Sequence, residues 1–233
     1  MNCDEAIVLV GGLGTRLREV VSDVPKPLAP VAGRPFLGWV LDQLAANGIN
    51  HVVLAAGHMA QMVQQFAGRQ WSGMSVVYSI ETQALGTGGA IRQARADLRG
   101  DCAHVLNGDT FLRYRPAALE DATLAAGAQV GVALARVDDL TRYGAVECDG
   151  PLVSAFLEKG RGGPGLINAG CYFLGSQALQ SLPDQTQYSF ETEVLLPMVA
   201  AGMVFGYADT ADFIDIGVPD DYRRAQSMFA LQP

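Results

Sequence analysis

Ala6-Ile7-Val8-Leu9-Val10-Gly11-Gly12-Leu13-Gly14-Thr15-Arg16-Leu17 is the stretch from which the fold is read. Its first five residues form an unbroken apolar run, the pattern of a strand buried on both faces in a parallel sheet. Three glycines within the next four residues then strip side chains from the turn at the strand's C-terminal end. Open α/β sheets bind ligands at that edge, and a bare backbone there lets an anion approach closely. Arg16 supplies positive charge beside the turn, and so does Lys26, held between the φ-restricted Pro25 and Pro27. The glycines alone fit a tight turn as well as a nucleotide loop. They match neither the dinucleotide fingerprint, since position 17 is leucine, nor a Walker loop, since no Gly-Lys-Ser/Thr triplet follows.

Outward from this stretch, strand and helix patterns alternate. Phe36, Leu37, Val40, Leu41 and Leu44 recur at helical spacing, and Asn47-Gly48 closes that helix. His51 to Ala56 reads as a strand, Met59 to Phe66 as a short helix, Ser75 to Tyr78 as a strand, Thr87 to Leu98 as a helix and Ala103 to Leu106 as a strand. This rhythm predicts an α/β domain: a Rossmann-like, mainly parallel sheet with helices on both faces. From about Gln129 the rhythm changes. Val130–Ala135, Tyr143–Glu147, Leu152–Leu157 and Leu166–Leu174 read as strands with little helix between them, so the sheet is expected to gain antiparallel members. A helix over Phe190–Ala200 is expected to open at Ser189 and to kink or shorten at Pro197. Short strands at Met203–Tyr207 and Phe213–Ile216 precede a last helix from Pro219 to about Phe229.

At 233 residues the chain can bury a large core, and it shows no repeat; a single domain over 1–233 is expected. Sixteen Lys and Arg against 24 Asp and Glu give a formal charge of −8, which disfavours nonspecific nucleic-acid binding. An acidic protein that handles phosphates must concentrate its few cations. Cys3, Cys102, Cys148 and Cys171 are too scattered for a zinc site or a disulfide framework, and no long apolar segment appears, so a soluble protein of the reduced cytoplasm, without membrane contact, is expected. His51, His58 and His104 read as structural.

Gly-Gly-x-Gly-Thr-Arg-Leu followed by Pro-Lys-Pro resembles the signature of the sugar-1-phosphate nucleotidyltransferases, and further matches recur along nearly the whole chain. The later details look most like the branch that activates D-glycero-D-manno-heptose 1-phosphate with GTP. What the resemblance implies is concrete. The nucleotide would lie along Leu9, Gly11, Gly12, Gly14, Thr15 and Arg16, and along Glu81 and Gly86-Thr87-Gly88. Arg16 would hold the phosphates that leave and Lys26 the α-phosphate. Asp109, in Asn107-Gly108-Asp109 at a strand end, and Asp215 would hold a magnesium ion, a hard cation that needs only one or two protein carboxylates. Asn107, Gly144, Glu158, Lys159 and Asn168 would form the sugar-phosphate site, with Lys159 on the phosphate. Relatives often carry a C-terminal β-helix; none is expected here, and homodimer formation is left open.

Glu81 bears on the base. A carboxylate is a pure acceptor that can pair with both N–H donors of guanine's Watson–Crick edge, whereas uracil and thymine suit an amide better. A strand end in solvent is the other reading of Glu81. The sugar 1-phosphate is already an anion near neutral pH, so no general base is required. Two other classes fit the sequence less well. A catalytically silent binder of sugar nucleotides would be expected to lose Arg16, a lysine or a metal aspartate, and all are present. A glycosyltransferase of similar fold would show Asp-x-Asp where Asn107-Gly108-Asp109 stands.

Overall fold

The computed structural model of the protein describes residues 3–12 and 23–230. The expected alternation is seen first. Strand β1 (Glu5–Leu9) is followed by a small hairpin, β2 (Pro30–Val31) and β3 (Arg34–Pro35), then by α1 (Phe36–Ala46), β4 (His51–Ala56) and α2 (Ala60–Ala67). A short β5 (Gln70–Trp71) turns back into β6 (Met74–Ile80), and α3 (Gly86–Ala94) leads to β7 (Ala103–Asn107). Parallel pairing joins β7 to β1, β1 to β4 and β4 to β6.

The second half adds β8 (Thr110–Arg113), α4 (Pro116–Ala125), β9 (Val130–Val137), β10 (Val146–Asp149), β11 (Leu152–Phe156) and β12 (Gly165–Leu174). After α5 (Ser176–Gln180) and a helical segment come β13 (Val204–Tyr207), β14 (Ala211–Asp215) and α7 (Pro219–Ala230). The main sheet runs β10-β11-β13-β9-β12-β7-β1-β4-β6-β5. Apart from the short β5, which runs against β6 at one edge, its antiparallel members enter where the sequence rhythm changes, with β12 running against both β7 and β9.

Burial on both faces explains the apolar runs. In β1, Ala6 and Val8 belong to the core under α1 and α7, while Ile7 points to the opposite core with Ala90 and Ile91 of α3. Successive strand residues face opposite sides, so both sides must be apolar. Gly48, at φ +88°, ends the α1 region as the Asn47-Gly48 pair predicts. Among the described residues, no helix is long and apolar enough to cross a membrane.

Four elements differ from the sequence expectation or were not part of it. The segment at Phe190–Ala200 is a π-helical turn, Glu191–Leu195, running into α6 (Leu196–Ala200). Ser189 Oγ accepts from Thr192 N at 3.3 Å, and the wide turn brings the chain to Pro197 at the start of α6, where a missing N–H is harmless. The helix expected from Thr87 to Leu98 stops at Ala94 and tightens to 3-10 geometry. Strand β8 and helix α4 carry no sequence expectation. The β8 strand pairs with β14 in a separate two-stranded sheet, not with the main one. Phe229 of α7 locks that layer down, its ring 4.9 Å from Phe111 of β8, 5.9 Å from Phe36 and 4.7 Å from Trp39.

His104 is fully buried in β7, 5.4 Å from the Phe173 ring. Burial holds its imidazole down, from 6.5 to about 4. The unfolded chain therefore binds the proton more readily than the folded one, so stability is complete above pH 6.5 and falls as pH drops toward 4. The loss amounts to about 3 kcal/mol at full protonation. Urea unfolding at pH 7 and pH 5 should show a smaller acid-induced loss for His104→Leu than for the parent; equal losses would contradict the assignment.

Candidate active site

The site is assembled at the C-terminal edge of β1 and its parallel neighbours. Chain continuity there depends on Gly108, whose N–H donates to Leu9 O at 2.9 Å; a Cβ on it would lie 2.6 Å from Val10 Cγ1. The close crossing sets Asp109 just beyond the end of β7. Asp215 comes from the far end of the chain through the β8–β14 pairing, in which Asp215 is opposite Thr110 and Ile216 N donates to Asp109 O at 3.1 Å. A two-stranded ladder thus brings the two aspartates together.

Lys26 lies between them. Its backbone sits in a single 3-10 turn, Lys26–Leu28, entered from Pro25 at φ −62°, with Leu28 N donating to Pro25 O at 2.7 Å. The ammonium is 2.5 Å from Asp109 Oδ2 and 3.3 Å from Asp215 Oδ1. Burial works against its charge, but the two carboxylates outweigh that and hold its pKa above the ordinary lysine value. Asp215 is pushed up by burial and by Asp109, against the pull of Lys26 and of Gly217 N, which donates to Oδ1 at 2.7 Å. Among the described residues no group of three or more His, Cys, Asp or Glu side chains is arranged to hold a metal ion. Two hard carboxylates fit an ion such as magnesium, which completes its shell with water and phosphate oxygens.

Three cavities meet here. One of about 420 Å³ is lined by Gly12, Lys26, Asn107, Asp109 and Asp215. A second, about 480 Å³, is lined by Gly11, Glu81, Thr82, Gln83 and Gly86. The third, about 440 Å³, is lined by Asn107, Tyr172, Tyr188 and Glu191. Leu9 and Thr87 line all three, which makes them lobes of one depression. In the second lobe Glu81 Oε2 accepts from Leu85 N at 3.2 Å, and burial raises its carboxyl pKa. A Cβ on Gly11 would come 2.9 Å from Glu81 Oε1 and 3.1 Å from Gly57 N, so glycine there lets the loop close on the carboxylate.

The structure therefore brings Leu9, Gly11, Gly12, Lys26, Glu81, Gly86, Thr87, Asn107, Asp109 and Asp215 to one depression. Gly14, Thr15 and Arg16 lie outside the described residues. Gly88 is buried against the Tyr188 ring and lines none of the three lobes. Gly144 packs near the loop at Leu157 O, while Glu158 and exposed Lys159 sit beyond that point and line none of these lobes. Asn168 stands behind the third lobe: its Nδ2 donates to Tyr172 Oη at 2.9 Å and to Glu191 Oε1 at 3.3 Å, and its Oδ1 accepts from Gly170 N at 2.9 Å. Tyr172, Tyr188 and Glu191 line the third lobe without having been singled out in the sequence. Tyr172 reads there as strand core, and Glu191 as the first turn of an ordinary helix.

The sequence profile of the nucleotidyl transferase family matches residues 5–231. The chain belongs to that family. As a nucleotidyl transferase it is 38% identical, over 95% of its length and 96% of the relative's, to the D-glycero-alpha-D-manno-heptose 1-phosphate guanylyltransferase of Aneurinibacillus thermoaerophilus. It is also 38% identical to the mannose-1-phosphate guanylyltransferase of Mycobacterium tuberculosis, over 96% of this chain and 64% of that one. Among solved structures, HddC from Yersinia pseudotuberculosis, complexed with GMP-PN, superposes with a TM-score of 0.87 at 32% identity, covering 98% of this chain and all of that one. The nucleotidyl transferase fold read from the sequence is thus the fold observed.

Proposed function

We propose that this nucleotidyl transferase moves the GMP unit of GTP onto a sugar 1-phosphate, D-glycero-α-D-manno-heptose 1-phosphate, giving the GDP-sugar and pyrophosphate. One observation carries the reading: a lysine flanked by two aspartates stands beside a lobe whose polar wall is the half-buried Glu81. The full-length similarity to a guanylyltransferase acting on that heptose phosphate supports the choice of substrates.

In this reading the guanine enters the second lobe, where Glu81 accepts from N1–H and N2–H. The triphosphate runs past Gly11 and Gly12 toward Lys26, whose fixed backbone aims the ammonium at the α-phosphate as negative charge gathers there. Arg16 takes the β- and γ-phosphates. Asp109 and Asp215 would hold a divalent cation, magnesium, which supplies charge neutralisation during attack on phosphorus. Since the attacking phosphate oxygen is already anionic, the protein's task is to align it and to exclude competing water. Asn107, Asn168 and Glu191 offer amide and carboxylate groups to sugar hydroxyls in the third lobe, and Lys159 reaches the sugar phosphate from its loop. Mannose 1-phosphate is the second reading, because the mycobacterial mannose enzyme is equally identical.

The base assignment is tested by the ratio of turnover with GTP to turnover with UTP, followed as pyrophosphate release. Glu81→Gln should lower that ratio by roughly tenfold or more, since an amide presents a donor to a donor edge. An unchanged ratio would return Glu81 to the role of a loop-closing residue.

A further inference from the structure

The place a cation would need between Asp109 and Asp215 is held by the protein's own side chain. Both carboxylates lie within 3.3 Å of Lys26 Nζ, and the lysine side chain is only 13% exposed. Its seat is shaped for it: a Cβ on Gly217 would come within 3.0 Å of Nζ and 2.9 Å of Asp215 Oδ1, so glycine at that position leaves room for the ammonium. The aspartates, by contrast, are held from the backbone side. Gly217 N donates to Asp215 Oδ1 and Ile216 N to Asp109 O, bonds that do not involve the lysine.

An ion that joins the two carboxylates must approach an oxygen of each to about 2 Å. With Nζ between them, the ion and the ammonium would be in contact, two like charges in a half-buried site. They are therefore alternative occupants. Only a strong anion arriving beside the pair can draw the lysine away, and the prolines on either side confine that movement to the side chain.

We propose that Lys26 closes the Asp109–Asp215 pair to free divalent cations, and that a triphosphate opens it by taking the ammonium onto its own oxygens. The cation then enters together with the nucleotide. Lys26 has two successive partners, the aspartates before binding and the phosphates after it. This rests on the reading above only in placing a phosphate ligand and a divalent ion in this cleft.

The test is titration of the full chain with Mn2+ alone, without nucleotide, followed by electron paramagnetic resonance. Lys26→Met should bind one Mn2+ at least ~10-fold more tightly than the parent, because a unit positive charge has left the gap. That added site should vanish in Lys26→Met/Asp109→Asn. Equal Mn2+ affinity of the parent and Lys26→Met would overturn the proposal. A second measurement needs no variant: in nucleotide-free crystals of the parent soaked in Mn2+, no anomalous peak is expected between Asp109 and Asp215, and a peak there would overturn it. Neither measurement contains GTP or a sugar, so their outcome is independent of the substrates assigned above, which turnover assays decide.

Discussion

Asp109→Ala and Asp215→Ala should each abolish pyrophosphate release, lowering kcat by at least about 10³-fold, the scale seen when a group stabilising transition-state charge is removed. The size follows from how little the site holds in reserve. Among the described residues, two carboxylates face Lys26 and no third is arranged beside them to hold a metal ion. The loss should be catalytic and not structural. Asp109 anchors its neighbour through its backbone oxygen, which alanine keeps, and in either variant Lys26 retains one carboxylate partner. Thermal melts close to the parent's, together with lost turnover, are the expected pair of results. Near-normal turnover of a folded variant at millimolar magnesium would contradict the two-aspartate site.

Gly89→Ala should destabilise the protein by about 3 kcal/mol, at the upper end of what inserting a methyl into close-packed structure costs. A Cβ at this position would lie 2.4 Å from Thr186 O and 2.9 Å from Leu85 Cβ. The nearest atom is backbone, and that backbone is tied down, because Gly88 N donates to Tyr188 O and Tyr188 N to Leu85 O, both at 3.0 Å. No rotamer change relieves the contact. The first turn of α3 and the strap at 186–190 must part, carrying with them Thr87, which accepts from Phe190 N at 2.9 Å and lines every lobe of the site. The melting temperature should fall by roughly 10 °C for a chain of this size, and the KM for nucleotide should rise. An unchanged melting temperature would show that the strap is not fixed.

Those glycines show where sequence reading stops. In Gly86-Thr87-Gly88-Gly89 they resemble a nucleotide-binding segment, and Gly86, at φ +69°, does face two of the lobes. Gly88, however, is small because the Tyr188 ring would lie 2.1 Å from its Cβ. Composition cannot distinguish a glycine that admits a ligand from one that admits a side chain a hundred positions away. The parallel core was legible for the opposite reason. Strands such as Val52 to Ala56 are buried on both faces by local pattern alone, and that pattern is written in consecutive residues.

The position of Asp109 at the sheet edge follows from the apolar strand before it, whereas a metal role for it and its meeting with Asp215 are implied only by the family resemblance. The β8–β14 ladder that joins them spans about a hundred residues, and β8 left no expectation of its own. Helix α4 carries no clear apolar stripe because its buried side mixes Glu120 and Thr123 with Pro116 and Leu119. Glu120 is satisfied by Cys3 N, at 2.9 and 3.1 Å, a partner far away in sequence. Only Pro116 at the first helical position signalled it. The resemblance implies Lys26 as a phosphate ligand, but its seat between the aspartates depends on three segments meeting in space, which no motif records.

The central claim is tested most directly by mixing the protein with magnesium, each of the four nucleoside triphosphates and a panel of sugar 1-phosphates, and following pyrophosphate release and sugar-nucleotide formation together. The account predicts fastest release with GTP and D-glycero-α-D-manno-heptose 1-phosphate, one GDP-sugar formed for each pyrophosphate. Equal or faster turnover with UTP, or no sugar-dependent release with any triphosphate, would contradict it.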